Sequence, residues 1–410
     1  LILIPLLSGV LCFVLAKVSA RAIAVAASII TLLVSVSSMI YTDPALNNVS
    51  YFWLKYIGSN YSVGLDGTGR ILTLLTAIAF PLIFIATYKT RYKNQSAFYG
   101  LMLLSQAGIM GVFVAFDALL FYFFWELALI PIYFLCSRWG GPKRIKTTFK
   151  FFVYTFAGSL LMLVGLIYVY LHTTGKMYDG VMIDHSFSLQ AFYNAQLSAT
   201  DQAWLFWLFF TAFAIKMPIL PFHTWQPDTY EQATPAVTMV LSGIMVKMGL
   251  LGVIRWLIPV FPAATEQFAE VVMWLSIAGI IYASCIALVQ DNLKKLVAYA
   301  SIAHMGLMCA ALFSLNSTGV QGVLLQMFSH GVNIIGMWIV LGIVQRKTGI
   351  ISISQLGGMA QKAPGLAIFM VIIAFANISL PLTNAFVGEF MMFAGVWQAN
   401  NWMTAVAALS

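Results

Sequence analysis

Apolar residues in this chain fall in continuous runs of about twenty, without the alternation of a half-buried strand or the three-and-four spacing of an amphipathic helix. The runs lie near 1–17, 21–41, 67–88, 98–116, 118–137, 149–171, 203–227, 236–258, 269–289, 294–313, 318–344 and 366–397, and another starts at 402. A helix rises about 1.5 Å per residue, so about twenty apolar residues cross a hydrocarbon layer about 30 Å thick. Each run therefore predicts a membrane-crossing helix, about thirteen in all. A closed β-barrel is excluded, because its strands would alternate apolar and polar. The first run is followed at once by a second and reads as a hairpin of spans, with no cleavable leader. The start at Leu1 and the stop inside an apolar run make both ends look incomplete.

Composition agrees with the pattern. Hydrophobic residues make up 61% of the 410 and charged residues only 8%, against about 25% in soluble domains. A soluble core with a charged shell is excluded, and so is disorder, which needs low hydrophobicity. The four cysteines stand singly in apolar segments and read as small buried hydrophobes. With no C-x-x-C pair, no iron–sulfur or haem ligand set is visible. The spans assign every loop to one of two faces. Fifteen Lys and Arg fall on one face, among them Lys17, Arg138, Lys143, Arg144, Lys146, Lys150, Lys294, Lys295, Arg346 and Lys347. The other face receives four: Lys55, Arg70, Lys176 and Arg255. The rich face is cytoplasmic by the positive-inside rule, and the N-terminus lies opposite. The net charge of +8 thus reflects topology. Nucleic-acid binding is not expected, since no basic stripe carries interleaved aromatics. The longest loop on the poor face, 173–201, is polar and carries no motif.

Three spans carry a charge near the middle: Glu126, Lys216 and Lys247. A central charge costs roughly 2.5–3.5 kcal/mol on insertion scales, so these residues read as parts of an ion pathway. The plainer reading is an ion pair that fixes helix order. Pro218 and Pro221 follow Lys216, and Pro381 precedes Glu389 by eight residues, so two spans must open beside a charge. Freed backbone at that depth must be buried in protein or line water, and paired broken helices are a pointer to an inverted-repeat transporter. His304 and His330, in the second half, can carry a proton near neutral pH; a lone histidine is more often a hydrogen-bonded core residue, but their place between Lys247 and Glu389 in sequence shifts the reading towards a relay. His172, His185 and His223 lie near span ends, and the five histidines show no metal spacing. No nucleophile elbow, Walker loop or dinucleotide fingerprint is present.

The stretches FFWELALIPIYFLCSRWGG, KFFVYTFAGSL, FAIKMPILPFHTWQPDTYEQATPA, SGIMVKMGLLGVIRW, DNLKKLVAYASIAHMG, QMFSHGVN, LGGMAQKAP and FVGEF follow one another in order. Together they resemble the antiporter-like membrane subunits of respiratory complex I, the NADH:quinone oxidoreductase, over the whole chain. Glu389 is similar to the chain-4, or M, type, because the L and N types carry lysine there. The resemblance implies an all-α polytopic membrane protein of thirteen to fourteen helices. It implies two inverted five-helix repeats, each with a proline-broken helix: residues 98–258 and 269–410, after an N-terminal segment 1–97. It implies a proton-translocating subunit of an oxidoreductase in which Glu126 pairs with Lys216, Lys247 connects the halves, His304 and His330 extend the polar axis and Glu389 is the terminal site. No redox chemistry or cofactor is expected in this chain; flavin, iron–sulfur clusters and quinone belong to partner subunits. The implied partners are the other membrane subunits, the lipid bilayer and protons, in a bacterial inner membrane or alternatively a mitochondrial one. A sodium/proton antiporter subunit, a membrane-bound hydrogenase subunit, a substrate carrier and a purely structural scaffold stay open. The chain departs from the family pattern at Gln226, Thr229, Tyr230 and Gln232-Ala233-Thr234-Pro235, and at Leu382, where the family has glycine.

Overall fold

The computed structural model describes residues 1–15, 19–41, 43, 47–178 and 181–409, with the backbone alone at 176–178 and 181–183. Lys17, assigned above to the charge-rich face, lies outside the described residues. The first half contains α1 (Leu3–Val14), α2 (Ala20–Ile40), β1 (Val49–Leu54), β2 (Ser59–Val63), α3 (Gly67–Ala86), α4 (Gln95–Val114), α5 (Ala118–Trp139), α6 (Arg144–Leu171) and α7 (Ala199–Lys216). The second contains α8 (Trp225–Gln232), α9 (Pro235–Leu257), α10 (Pro262–Leu288), α11 (Leu293–Phe313), α12 (Ser317–Thr348), α13 (Pro364–Asn377), α14 (Phe386–Ala399) and α15 (Asn401–Ala407). Among the described residues nine helices are long and apolar enough to cross a membrane, and α1 and α13 are shorter apolar helices. The protein is thus an all-α polytopic membrane protein. Two antiparallel hairpins add to it: β1 pairs with β2, and 176–178 pairs with 181–183 inside the loop that the sequence left without a motif.

The chain divides into two compact units. Unit 1 holds Leu1–Ser137, Phe152–Lys216 and Met248–Gln267; unit 2 holds Arg138–Phe151, Met217–Lys247 and Phe268–Ser410.

In unit 1, α4 is almost wholly enclosed and packs against α1, α2 and α3. It also meets α5 closely at Gly108, where a Cβ would stand 2.5 Å from the Ala128 nitrogen. Only glycine permits that approach, in the manner of small-residue membrane interfaces. Asp117 fixes the start of α5. Its Oδ1 accepts from the N–H groups of Leu119 and Leu120 and from the Ser59 hydroxyl, and its Oδ2 accepts from Asn60 N–H. The carboxylate thereby caps the helix that carries Glu126 and ties it to β2. Burial pushes the Asp117 carboxyl above the usual carboxylate range, and these four donors pull it back.

In unit 2, α12 packs against α13 and α14, and α8 against α11. At Gly322 of α12 a Cβ would lie 2.7 Å from the Met392 nitrogen and 2.9 Å from the Gly388 carbonyl. That approach sets the position of the α14 turn that carries Glu389.

Three helical irregularities bear on the site. Helix α7 ends at Lys216, the chain runs without helix from Met217 to Thr224, and α8 resumes at Trp225. Pro218 and Pro221 cannot donate to the helical ladder, which accounts for the break. The second break runs from Ile378 to Ala385 around Pro381, with Ser379 at φ 54° and Leu382 at φ 76°. Leu382 thus holds the left-handed backbone that glycine adopts without steric cost. In α9, π-helical turns at Leu241–Met245 and Val253–Leu257 flank the α-helical stretch Val246–Gly252 that carries Lys247. Such turns occur mostly as single bulges inside α-helices, frequently at functional sites.

Candidate functional site

Unit 1 places Glu126 and Lys216 around one aromatic wall. Trp125, fully buried on α5, packs against Phe121 and Phe213. The Lys216 ammonium, at the end of α7, stands 5.3 Å from the centroid of the Trp125 ring. That distance is within the range of a cation–π contact. Lys216 is only 2% exposed, and its Nζ has no hydrogen-bond partner, as is also true of Glu126 Oε1. The Glu126 carboxylate acts on Lys216 through its charge, without a direct ion pair. Tyr122 stands beside Glu126 and Ser159. The lysine therefore sits at the end of α7, where the helical ladder stops.

The sequence reading counted Arg255 among the charges of a solvent-facing loop. Its side chain is instead buried in the second π turn of α9. Its Nη2 donates to both carboxylate oxygens of Asp66 at 2.7 and 2.8 Å, and its Nη1 donates to the Phe113 carbonyl at 2.9 Å. The Phe116 ring lies 4.8 Å from the guanidinium, and Tyr193 donates to the Arg255 carbonyl. Asp66 also caps α3 by accepting from Gly69 N–H. A planar fork suits a two-oxygen contact of this kind. Sequence could not pair residues 189 positions apart.

Unit 2 brings the other four candidates together. The Lys247 ammonium donates to the Ser242 carbonyl at 3.1 Å and lies 2.8 Å from His330 Nδ1. His330 Nε2 is 3.3 Å from the Ser301 hydroxyl. The His304 ring is 5.5 Å from the His330 ring, centroid to centroid, and His304 Nδ1 is 3.8 Å from Glu389 Oε2. The Ser379 hydroxyl donates to the same carboxylate oxygen at 2.5 Å. Lys247, His330, His304 and Glu389 thus form one row across α9, α12, α11 and α14. Lys247 and His330 are buried; His304 and Glu389 are partly open and line a cavity of about 610 Å³ with Asn377, Ser284 and Cys285. A proton can pass between such neighbours by exchange of donor and acceptor roles, because each is titratable.

On the face that the charge count assigns to the cytoplasm, Lys150 pairs with Asp228 at 2.9 Å and Lys295 with Glu231 at 3.5 Å. The Gln232 carbonyl accepts from Gly141 N–H and its Oε1 from Lys143 N–H, which ties the end of α8 to the loop before α6. His223 is buried against the Tyr282 ring. Ser301, Ser379 and Arg255 were missed by sequence reasoning. Small hydroxyls are ordinary in membrane helices, and only the serine two residues before Pro381 offered a positional signal.

A sequence-family model described as NADH:quinone oxidoreductase/Mrp antiporter, transmembrane, matches residues 115–410. The chain belongs to this family. All six candidate positions lie within the matched region. Among members of the NADH:quinone oxidoreductase/Mrp antiporter family, the chain is 38% identical over 391 residues to NADH-quinone oxidoreductase subunit M of Rickettsia conorii, covering 94% of this chain and 78% of that protein. It is 33% identical over 363 residues to the subunit M of Escherichia coli strain K12, covering 87% and 70%. A chain of respiratory complex I from Thermus thermophilus, solved with bound NADH, superposes with a TM-score of 0.90 at 29% identity, covering 100% of this chain and 84% of that one.

Proposed function

We propose that this chain is a proton-translocating membrane subunit of a bacterial respiratory NADH:quinone oxidoreductase, set in the inner membrane as a multi-pass protein beside the other membrane subunits. The single observation that carries the proposal is the row Lys247–His330–His304–Glu389, with its 2.8 Å and 3.8 Å contacts, in the interior of an apolar helix bundle. Four titratable groups in that setting are costly, and intramembrane ionisable residues mark proton or ion pathways. Their relatives bear the name of an oxidoreductase subunit, which favours this reading over a sodium/proton antiporter or a hydrogenase subunit.

The mechanism follows from the geometry. Glu126 and Lys216 interact through charge but do not touch, so a change in their separation alters how strongly the lysine holds its proton. A change of one pKa unit requires only about 1.4 kcal/mol, within what a conformational change in a neighbouring subunit delivers. Lys247 accepts the proton, His330 takes it across the 2.8 Å contact, and His304 passes it to Glu389. The cavity beside Glu389 connects it to water. Residues 98–258 and 269–410 serve as two inverted repeats, and the two broken helices are their corresponding hinges. Reduction chemistry, with flavin, iron–sulfur clusters and quinone, takes place in partner subunits.

Purification of the tagged chain from its native membrane in mild detergent tests the assignment. The expected result is a complex that contains flavin, iron–sulfur clusters and NADH:quinone oxidoreductase activity. Recovery with only antiporter-type membrane subunits, or with a hydrogenase, contradicts it.

A further inference from the structure

Glu389 lies just past a helix break, and the break has to be held open by something. Helix α13 stops at Asn377 and α14 starts at Phe386. The Ala376 carbonyl, in the last turn before the break, accepts only a long 3.3 Å bond from Ser379 N–H within its own segment. The Asn333 amide of α12 donates to that carbonyl at 2.8 Å. On the far side of the break, the Ser329 hydroxyl of α12 donates to the Asn384 carbonyl at 3.0 Å. Both side chains are buried, at 7% exposure. They are four residues apart and so share one face of α12. His330 lies between them in sequence and reaches Lys247 on another face. One turn of α12 therefore holds both the lysine contact and the two edges of the break.

We infer that Asn333 and Ser329 are positioning residues for Glu389, acting through Ser379. This inference rests on the reading of Glu389 as a proton site. Ser379 is three residues beyond the carbonyl that Asn333 holds, and its backbone is left-handed at φ 54°. A non-glycine residue persists there only when its surroundings impose it. In that conformation its hydroxyl reaches Glu389 Oε2 at 2.5 Å, opposite His304 Nδ1 at 3.8 Å. Without the Asn333 bond, the Ala376 carbonyl is left with only the long bond from Ser379 N–H, an under-satisfied acceptor. The segment then relaxes towards ordinary backbone, Ser379 leaves the carboxylate, and Glu389 turns away from His304. A tether that only glued helices together would have no such dependence on the Ser379 hydroxyl.

The test compares variants in the assembled complex, reconstituted in proteoliposomes, at equal subunit content. Ser379→Ala and Asn333→Leu are each expected to lower proton pumping roughly tenfold, the scale of one lost hydrogen bond to a charged group. Ser379→Thr keeps the hydroxyl and is expected to pump within about twofold of the parent. Because both losses act on the same contact, the double variant Asn333→Leu/Ser379→Ala is expected to pump no worse than the weaker single one. Parent-level pumping by Asn333→Leu, multiplied losses in the double variant, or equal losses for Thr and Ala at 379 would overturn the inference. If Asn333→Leu does not assemble, Ser329→Ala, which removes one oxygen, carries the test: a loss supports the inference and parent-level pumping overturns it. Glu389→Gln, measured in parallel, separates the two readings. Normal pumping in it removes the proton-site role itself; impaired pumping in it with unaffected Ser379→Ala and Asn333→Leu removes only the positioning.

Discussion

Among the described residues no carboxylate pairs with the Lys247 head group, which lies in the interior of the protein. Its neighbours are the Ser242 carbonyl and the imidazole of His330. The 2.8 Å contact is a hydrogen bond when one partner holds a proton and the other offers a lone pair. Arginine fills the position with a charge that does not leave at any reachable pH. Lys247→Arg is therefore expected to remain as impaired in proton pumping as Lys247→Ala, with both complexes assembled. Full pumping by the arginine variant would make Lys247 an electrostatic post. At this scale the sequence was most informative where a residue violated its surroundings. Glu126, Lys216 and Lys247 stand out because a charge inside an apolar run is anomalous. Ser301, Ser329 and Asn333 do not stand out, because small polar side chains can satisfy themselves on nearby helix carbonyls. Arg255 misled for a different reason: it lies near the end of its run, and its partner Asp66 lies in another element.

The element that decides the geometry of Glu389 is the contact between α12 and α14. A side chain at Gly322 would meet the Met392 nitrogen and the Gly388 carbonyl, both backbone atoms that cannot swing aside. Gly322→Val is thus expected to push α14 outwards, to lower the thermal stability of the complex, and to cost pumping more than electron transfer, because Glu389 follows Gly388 directly. Gly342→Val, on the same helix with only one neighbouring atom near contact distance, is the control and is expected to leave both nearly unchanged. A pumping defect of equal size in the two would mean that helix propensity, not the close approach, is responsible. Helix breaks were legible in sequence, since proline removes a donor wherever it stands. The π turns of α9 were not, because widening one turn of the ladder leaves the apolar character of the run unchanged. The hairpins β1–β2 and 176–178 with 181–183 were also invisible to a reading keyed to long apolar runs; they lie in polar connections, and strands of three to six residues leave little pattern.

Across the whole molecule, hydropathy and the charge bias together predict orientation. Cysteine placed at Lys143 or Lys347, both exposed, is expected to react with an impermeant reagent from the cytoplasmic side, and cysteine at Gln196, also exposed, from the opposite side. Reaction of all three from one side would mean that the number of crossings between them is even where an odd number is required. The wider account makes a stronger demand, since it joins a carboxylate of unit 1 and a carboxylate of unit 2 in one activity. Each has its own lysine or histidine neighbour, Lys216 for Glu126 and His304 for Glu389. Glu126 Oε1 has no hydrogen-bond partner among the described residues, and Glu389 borders a cavity. The most direct measurement is proton uptake driven by quinone reduction in proteoliposomes, with Glu126→Gln and Glu389→Gln complexes assembled to the same subunit content as the parent. Glutamine keeps the size and one acceptor oxygen and removes the charge and the exchangeable proton. The account predicts that pumping falls by roughly a hundredfold or more in each, the usual scale for loss of a proton-transferring group. Parent-level pumping by either assembled complex would contradict it.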